Sequence, residues 1–262
     1  PRYVDDAREV AVVCVGFATL GLATVLALKS ATAIPRPTMT PVDPSGLPVL
    51  LESFVAGELE SDGFTFPSGH ATAATVVYGG LGLLLSVGRK RHRYLLAAGL
   101  IVLISLSRVI LDVHYLRDIL AGMILGSLLI VVGLAVGRND SRYHPDRVFA
   151  LGGIASVIGL GVALQGGHAE EVLHAAIGIG TAVGGVVTWR RFGDRLVAAP
   201  PVSTPLAVGG LAVAGGLWIA AYAGALPMVG AAVASAAAVG IILLLPLAAE
   251  RRKKGISETV EA

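Results

Sequence analysis

Cysteine is nearly absent from this chain. Its 262 residues hold one, Cys14, inside an apolar run. A single cysteine excludes an intrachain disulfide and carries no signal of compartment. Charge is scarce as well. Only 15% of the residues are charged, against 55% hydrophobic, and the mean hydropathy is +0.78. So little charge over such a length argues against an ordinary soluble domain and for a membrane protein. The opening Pro1-Arg2-Tyr3-Val4-Asp5-Asp6 has neither an initiating methionine nor the pattern of a signal peptide. The chain is therefore expected to be a fragment of a longer protein. No internal repeat stands out.

Long apolar runs are what the sequence has in quantity. A bilayer is crossed by a helix of about 20 apolar residues. Eight such segments are expected, near Val10–Leu28, Ser68–Val87, Tyr94–Leu111, Leu116–Val136, Val148–Leu164, Glu171–Trp189, Pro205–Ala223 and Pro227–Ala248. The fold class that follows is all-α, a polytopic helical membrane bundle. The loop 30–66 is rich in proline and acids, and Pro48–Ala56 reads as a short interfacial helix. The last four spans carry Gly152-Gly153, Gly184-Gly185, Gly209-Gly210 and Gly215-Gly216. Small residues of this kind let membrane helices approach closely.

The net charge of +2 hides an uneven distribution. Basic residues gather before span one (Arg2, Arg8), after span two (Arg89 to Arg93), after span four (Arg138, Arg142, Arg147), after span six (Arg190, Arg191, Arg195) and after span eight (Arg251 to Lys254). With eight spans, all these clusters fall on one side. The positive-inside rule makes that side, and both termini, cytoplasmic. The opposite face then holds Lys29, Arg36, His70 and His114.

Ionisable residues beside a bilayer core are expensive and default to functional candidates. Three groups of them share that face: Lys29 with Arg36-Pro37, then Pro67-Ser68-Gly69-His70, then Ser107-Arg108-x5-His114-x3-Asp118. Lys29, Arg36 and Arg108 can surround a tetrahedral anion. Ser68 and Gly69 open a helix, where free N–H groups and the helix dipole favour phosphate. His114 and Asp118 are four apart, which puts them on one helix face. A carboxylate there can hold one ring nitrogen and leave the other basic. That suits His114 to nucleophilic attack and leaves His70 for proton transfer. Ser107 reads as a packing or hydrogen-bonding residue rather than a nucleophile. His92 and His144 read as solvated residues of basic loops. His168 and His174 lie near the outer loop that follows span five.

Taken together, these three motifs resemble the type 2 phosphatidic acid phosphatase superfamily, whose core is shared with vanadium haloperoxidases. The resemblance covers about Lys29 to Val136. It implies that Lys29, Arg36 and Arg108 bind phosphate, assisted by Ser68 and Gly69. It implies a phosphohistidine on His114 supported by Asp118, protonation of the leaving group by His70, and no metal or other cofactor. The expected organisation is a phosphatase core over residues 1–140, a further four-helix membrane region over 141–250, and a basic tail over 251–262. Family members usually have more helices before the first motif, which again points to a missing N-terminal part.

The activity implied is hydrolysis of a lipid phosphate or isoprenoid diphosphate at the extracytoplasmic face. The expected partners are that substrate and the bilayer, with no nucleic acid. The substrate within this class and the oligomeric state stay open. A lipid phosphotransferase would use the same residues, with an alcohol as acceptor. A metal hydrolase built on His70, His114 and Asp118 competes less well, because three cations crowd the same place. A transporter or scaffold is the reading from another class. Transporter charges usually lie near mid-bilayer, whereas these gather at one face.

Overall fold

The computed structural model describes residues 2–37, 45–46, 48–49, 52, 56, 63–139 and 142–260, with side chains described only between Ala7 and Glu250. The interfacial helix expected over Pro48–Ala56 falls mostly outside the described residues. Among them the chain forms eight helices and one small hairpin. In chain order these are α1 (Arg2–Thr32), α2, α3 (Lys90–Ile110), α4 (Leu116–Gly137), the strands β1 (Arg138–Asn139) and β2 (Arg142–Tyr143), α5 (Pro145–Gly166), α6 (Ala169–Ala198), α7 (Thr204–Tyr222) and α8 (Met228–Val260). The second helix, α2, is composite. It runs as Gly69–Ala74, a π turn over Thr75–Gly79, and Gly80–Leu84.

Among the described residues seven helices are long and apolar enough to cross a membrane. The chain is thus a polytopic helical bundle of the integral membrane class. The second expected span is the exception. α2 ends at Leu84 rather than Val87 and is too short to count among the seven. The basic stretch expected as a loop after it is partly helical, because α3 already begins at Lys90. The link expected over 137–147 contains the antiparallel pair of β1 and β2, with Arg138 opposite Tyr143.

Local signals set several helix ends. Pro145 stands in the first turn of α5, where its missing N–H costs nothing. α5 stops where Gly167 takes φ 71°, a left-handed conformation that glycine adopts without penalty. α6 is closed by a residue far away in sequence. The Arg8 guanidinium donates to the carbonyls of Leu196, Val197, Ala199 and Pro200. A cation there satisfies carbonyls left open at a helix C-terminus and suits the dipole.

α1 packs against α2 and α4 and also against α5 and α6, while α8 packs against α6 and α7. Large side chains enter slots left by glycine. Phe17 is fully buried, and a Cβ at Gly133 would stand 2.5 Å from its ring. Phe149 meets Gly185 in the same way. Close backbone approach of this kind maximises dispersion contacts where the hydrophobic effect between helices is weak. It also brings the C-terminal end of α1, the N-terminal end of α2 and the α3–α4 junction to one end of the bundle.

Candidate active site

The α3–α4 junction is a tight reversal. Asp112 takes φ 55° just past the end of α3. The Asp112 N–H donates to the Val109 carbonyl at 3.0 Å, and the Val113 N–H to the Arg108 carbonyl at 3.1 Å. This is a Schellman-type ending, with an aspartate standing where glycine is commonest. The His114 N–H reaches the same Arg108 carbonyl at 3.2 Å. The turn therefore locks Arg108 and His114 together through the backbone. Both side chains are buried. Arg108 Nε donates to the Ser107 hydroxyl at 3.2 Å, which in turn donates to the Ile104 carbonyl.

Asp118 is fully buried in the first turn of α4. Its Oδ2 accepts the Tyr115 N–H at 2.9 Å, so it caps the helix it belongs to. A direct bond from His114 to Asp118 was expected from their spacing. The structure places His114 Nδ1 and Asp118 Oδ2 3.6 Å apart, too far for a hydrogen bond. The side chain of Thr65 lies between them. Its hydroxyl donates to Asp118 Oδ2 at 2.6 Å and stands 2.9 Å from His114 Nδ1. Thr65 was not among the sequence candidates. A lone threonine two residues before Pro67 carries no spacing signal, and only tertiary contact reveals it.

The second motif is fastened to the third. Ser68 is the N-cap of α2, and its hydroxyl accepts the Ala71 N–H at 3.4 Å. The Ser68 N–H donates to the Asp118 carbonyl at 3.0 Å. His70 is exposed in the first turn of α2. Among the described residues a Cβ at Gly69 would touch only Val25, at 3.6 Å.

The first motif joins through the segment before Pro67. The Thr65 N–H donates to the Ile34 carbonyl at 2.9 Å, and Arg36 Nε donates to the Gly63 carbonyl at 3.0 Å. Lys29 lies in the last turn of α1, half-buried. Lys29, Arg36 and His70 all lie close enough to His114 to act on it electrostatically. The His114 pKa is lowered from 6.5 to about 4, first by burial and then by Lys29 and Arg36, with Asp118 opposing and His70 adding slightly. The imidazole is therefore neutral near pH 7, as a nucleophile must be.

All eight residues singled out in the sequence thus lie on the elements that meet at this end. Two other histidines are near or apart. His168 packs its ring edgewise on Phe64, with centroids 4.7 Å apart, so the α5–α6 turn touches the segment that carries Thr65. His174 stacks on Tyr222 instead. Among the described residues no cluster of three His, Cys, Asp or Glu side chains is arranged to hold a metal ion.

A family model described as the PAP2 superfamily matches residues 10–142, about half of the chain. The chain belongs to the PAP2 superfamily. The matched region runs from α1 to the hairpin after α4 and contains all three motifs of the site. Phosphatidylglycerophosphatase B of Bacillus subtilis (strain 168) is 36% identical over 87 residues. That match covers 31% of this PAP2 chain and 43% of the relative, so it spans less than half of the relative's length. No solved structure matches the chain.

Proposed function

We propose that this protein is an integral membrane phosphatase that releases phosphate from a lipid phosphate through a phosphohistidine. The observation that carries the reading is His114, buried and neutral, held beside Thr65 and Asp118 and facing the cations Lys29 and Arg36. Membership of the PAP2 superfamily and likeness to a phosphatidylglycerophosphatase support it. Phosphatidylglycerol phosphate is accordingly the first substrate to try.

In the proposed reaction Lys29, Arg36 and Arg108 bind the phosphate oxygens, with the N-terminus of α2 at Ser68 and Gly69 adding N–H donors. The lone pair of His114 Nε2 forms a bond to phosphorus. The bond from phosphorus to the lipid oxygen breaks, and His70 gives that oxygen its proton. His70, now neutral, takes a proton from water as the water oxygen attacks phosphorus. The N–P bond breaks, phosphate leaves, and both histidines regain their starting states. The cations stabilise the charge that builds on the equatorial oxygens in both steps.

The proposed location of the site is the extracytoplasmic face, on the reading that the short α2 also crosses, which puts the basic clusters on one side. Its place at the ends of apolar helices favours a substrate whose chains stay in the bilayer. We assign the catalytic core to residues 1–140 and leave the role of residues 141–250 unassigned. The test is phosphate release by the purified protein from phosphatidylglycerol phosphate, phosphatidic acid, polyprenyl diphosphates and soluble sugar phosphates. Release from a lipid substrate well above that from sugar phosphates is expected. Equal specificity constants for a sugar phosphate and every lipid would refute the lipid reading. Phosphate transfer to an added lipid alcohol, with no release to water, would reassign the protein as a transferase.

A further inference from the structure

We propose that Thr65 is a positioning residue that selects the attacking tautomer of His114. The inference rests on the proposed phosphohistidine reaction for its catalytic meaning, and on geometry alone for its structural content.

The Thr65 hydroxyl has one proton and two neighbours. Asp118 Oδ2 is 2.6 Å away and His114 Nδ1 is 2.9 Å away. A carboxylate accepts only, and the shorter contact is the charge-assisted one. The hydroxyl proton therefore points to Asp118. The hydroxyl oxygen then offers a lone pair to His114, so Nδ1 carries the ring proton. A neutral imidazole with its proton on Nδ1 has a bare Nε2, which is the nitrogen free to attack. Asp118 cannot impose this state directly, being 3.6 Å from Nδ1. Its charge acts through the threonine.

The bridge is itself held in place. Thr65 is fully buried. Its N–H is bonded to Ile34 at 2.9 Å, and the Thr32 hydroxyl donates to the Phe66 carbonyl at 3.2 Å on the next residue. The residues that fix Thr65 thus belong to the stretch leading into Arg36. A displacement of the phosphate-binding stretch around Arg36 would move the hydroxyl that orients His114. Thr65 thus couples the stretch leading into Arg36 to the third motif: its N–H meets Ile34, and its Oγ1 meets His114 and Asp118.

Thr65→Val keeps the shape and removes the hydroxyl; Thr65→Ser keeps the hydroxyl. The full chain in detergent, with histidines labelled by 15N, reports the tautomer from the ring nitrogen shifts, with His114→Asn assigning the signal. Wild type should show a protonated Nδ1 and bare Nε2. Thr65→Val should show a mixture of tautomers and a kcat about ten- to a hundredfold lower, as when a metal-bound histidine loses the partner that orients its ring. KM should change less than about twofold, since the phosphate contacts remain. Thr65→Ser should restore both tautomer and kcat. If Thr65→Val does not fold, Thr65→Ala replaces it in the same comparison.

An unchanged Nδ1–H tautomer with wild-type kcat in the variant lacking the hydroxyl overturns the proposal. So does a serine variant as slow as the valine variant with the tautomer intact, because shape and not the hydroxyl would then matter. The nitrogen spectrum needs no substrate. If wild type releases no phosphate from any lipid, the functional reading fails, and the spectrum still decides the role of Thr65.

Discussion

The backbone N–H of Ser68 donates to the carbonyl of Asp118 at 3.0 Å. This bond ties the N-terminus of α2 to the first turn of α4, so Ser68, proposed to bind phosphate, and Asp118, proposed to orient His114, share one rigid joint. The joint depends on Gly122, one turn further along α4. A Cβ at Gly122 would stand 2.6 Å from the Ser68 carbonyl oxygen and 3.0 Å from the Ala71 Cβ. Backbone cannot yield as a flexible side chain would.

Gly122→Ala is accordingly expected to push α2 from α4, destabilise the fold by about 1–3 kcal/mol and lower activity with it. Gly99→Ala provides the comparison. Among the described residues nothing lies within 4 Å of a Cβ at Gly99, in the interior of α3. That substitution should leave activity unchanged and stabilise the helix by about 0.5–1 kcal/mol. Thermal unfolding in detergent and phosphate release measure both. A Gly122→Ala protein as stable and active as wild type would show that the two helices are not held at this distance.

The second prediction concerns His114 and pH. Its pKa is lowered to about 4, so the folded state binds fewer protons here than the unfolded state, whose histidine titrates near 6.5. The stability this provides is fully present above pH 6.5 and is lost as the pH falls towards 4. The loss is about 3 kcal/mol at the bottom of that window. NMR titration should find the ring neutral at pH 5.5. Lys29→Met should raise the pKa, because the Lys29 charge is the largest electrostatic cause of the depression. A wild-type ring that protonates near 6.5 would contradict the burial and charge placement described above.

Asp118→Asn separates charge from geometry. The amide oxygen can still accept from Thr65 and Tyr115, the two donors on Oδ2. The helix cap should survive and the melting temperature should change little. The negative charge that opposes the His114 depression disappears, so the His114 pKa should fall further. The kcat should drop by about ten- to a hundredfold. A rise in the His114 pKa would show that the carboxylate acts on the ring in some other way.

The two histidines should respond differently to leaving group. An aryl phosphate leaves with little need of protonation. It should partly rescue His70→Ala and fail to rescue His114→Ala. With radiolabelled substrate, His70→Ala should accumulate an acid-labile, alkali-stable phosphoenzyme, and His114→Ala should take up no label. Label on the His114→Ala protein, or its rescue by the aryl ester, would reverse the assigned roles.

Sidedness is testable without activity. In a Cys14→Ala background, Ser45→Cys should react with an impermeant thiol reagent added to intact cells. His92→Cys should react only after the membrane is opened. Protection of position 45 with labelling of position 92 from outside would place the site on the cytoplasmic face.

Much of this was legible in the chain itself. Recurrent apolar runs of about the length a bilayer needs determined that the protein is a helical membrane bundle. The motifs sit at the ends of those runs, at Lys29, at Ser68 to His70 and at Arg108 to Asp118, and alternation of direction along the chain is enough to bring them to one end. These are local properties, carried by composition and spacing. What the tertiary structure alone decided is how the ends touch. Gly99 and Gly122 read alike as letters, yet one meets nothing and the other sits against Ser68. The spacing of His114 and Asp118 suggested a direct bond, and the structure puts Thr65, 53 residues before Asp118, between them. A hydrogen bond is decided within a few tenths of an ångström. That precision comes from helices packed across the bundle, and no pattern along the chain records it.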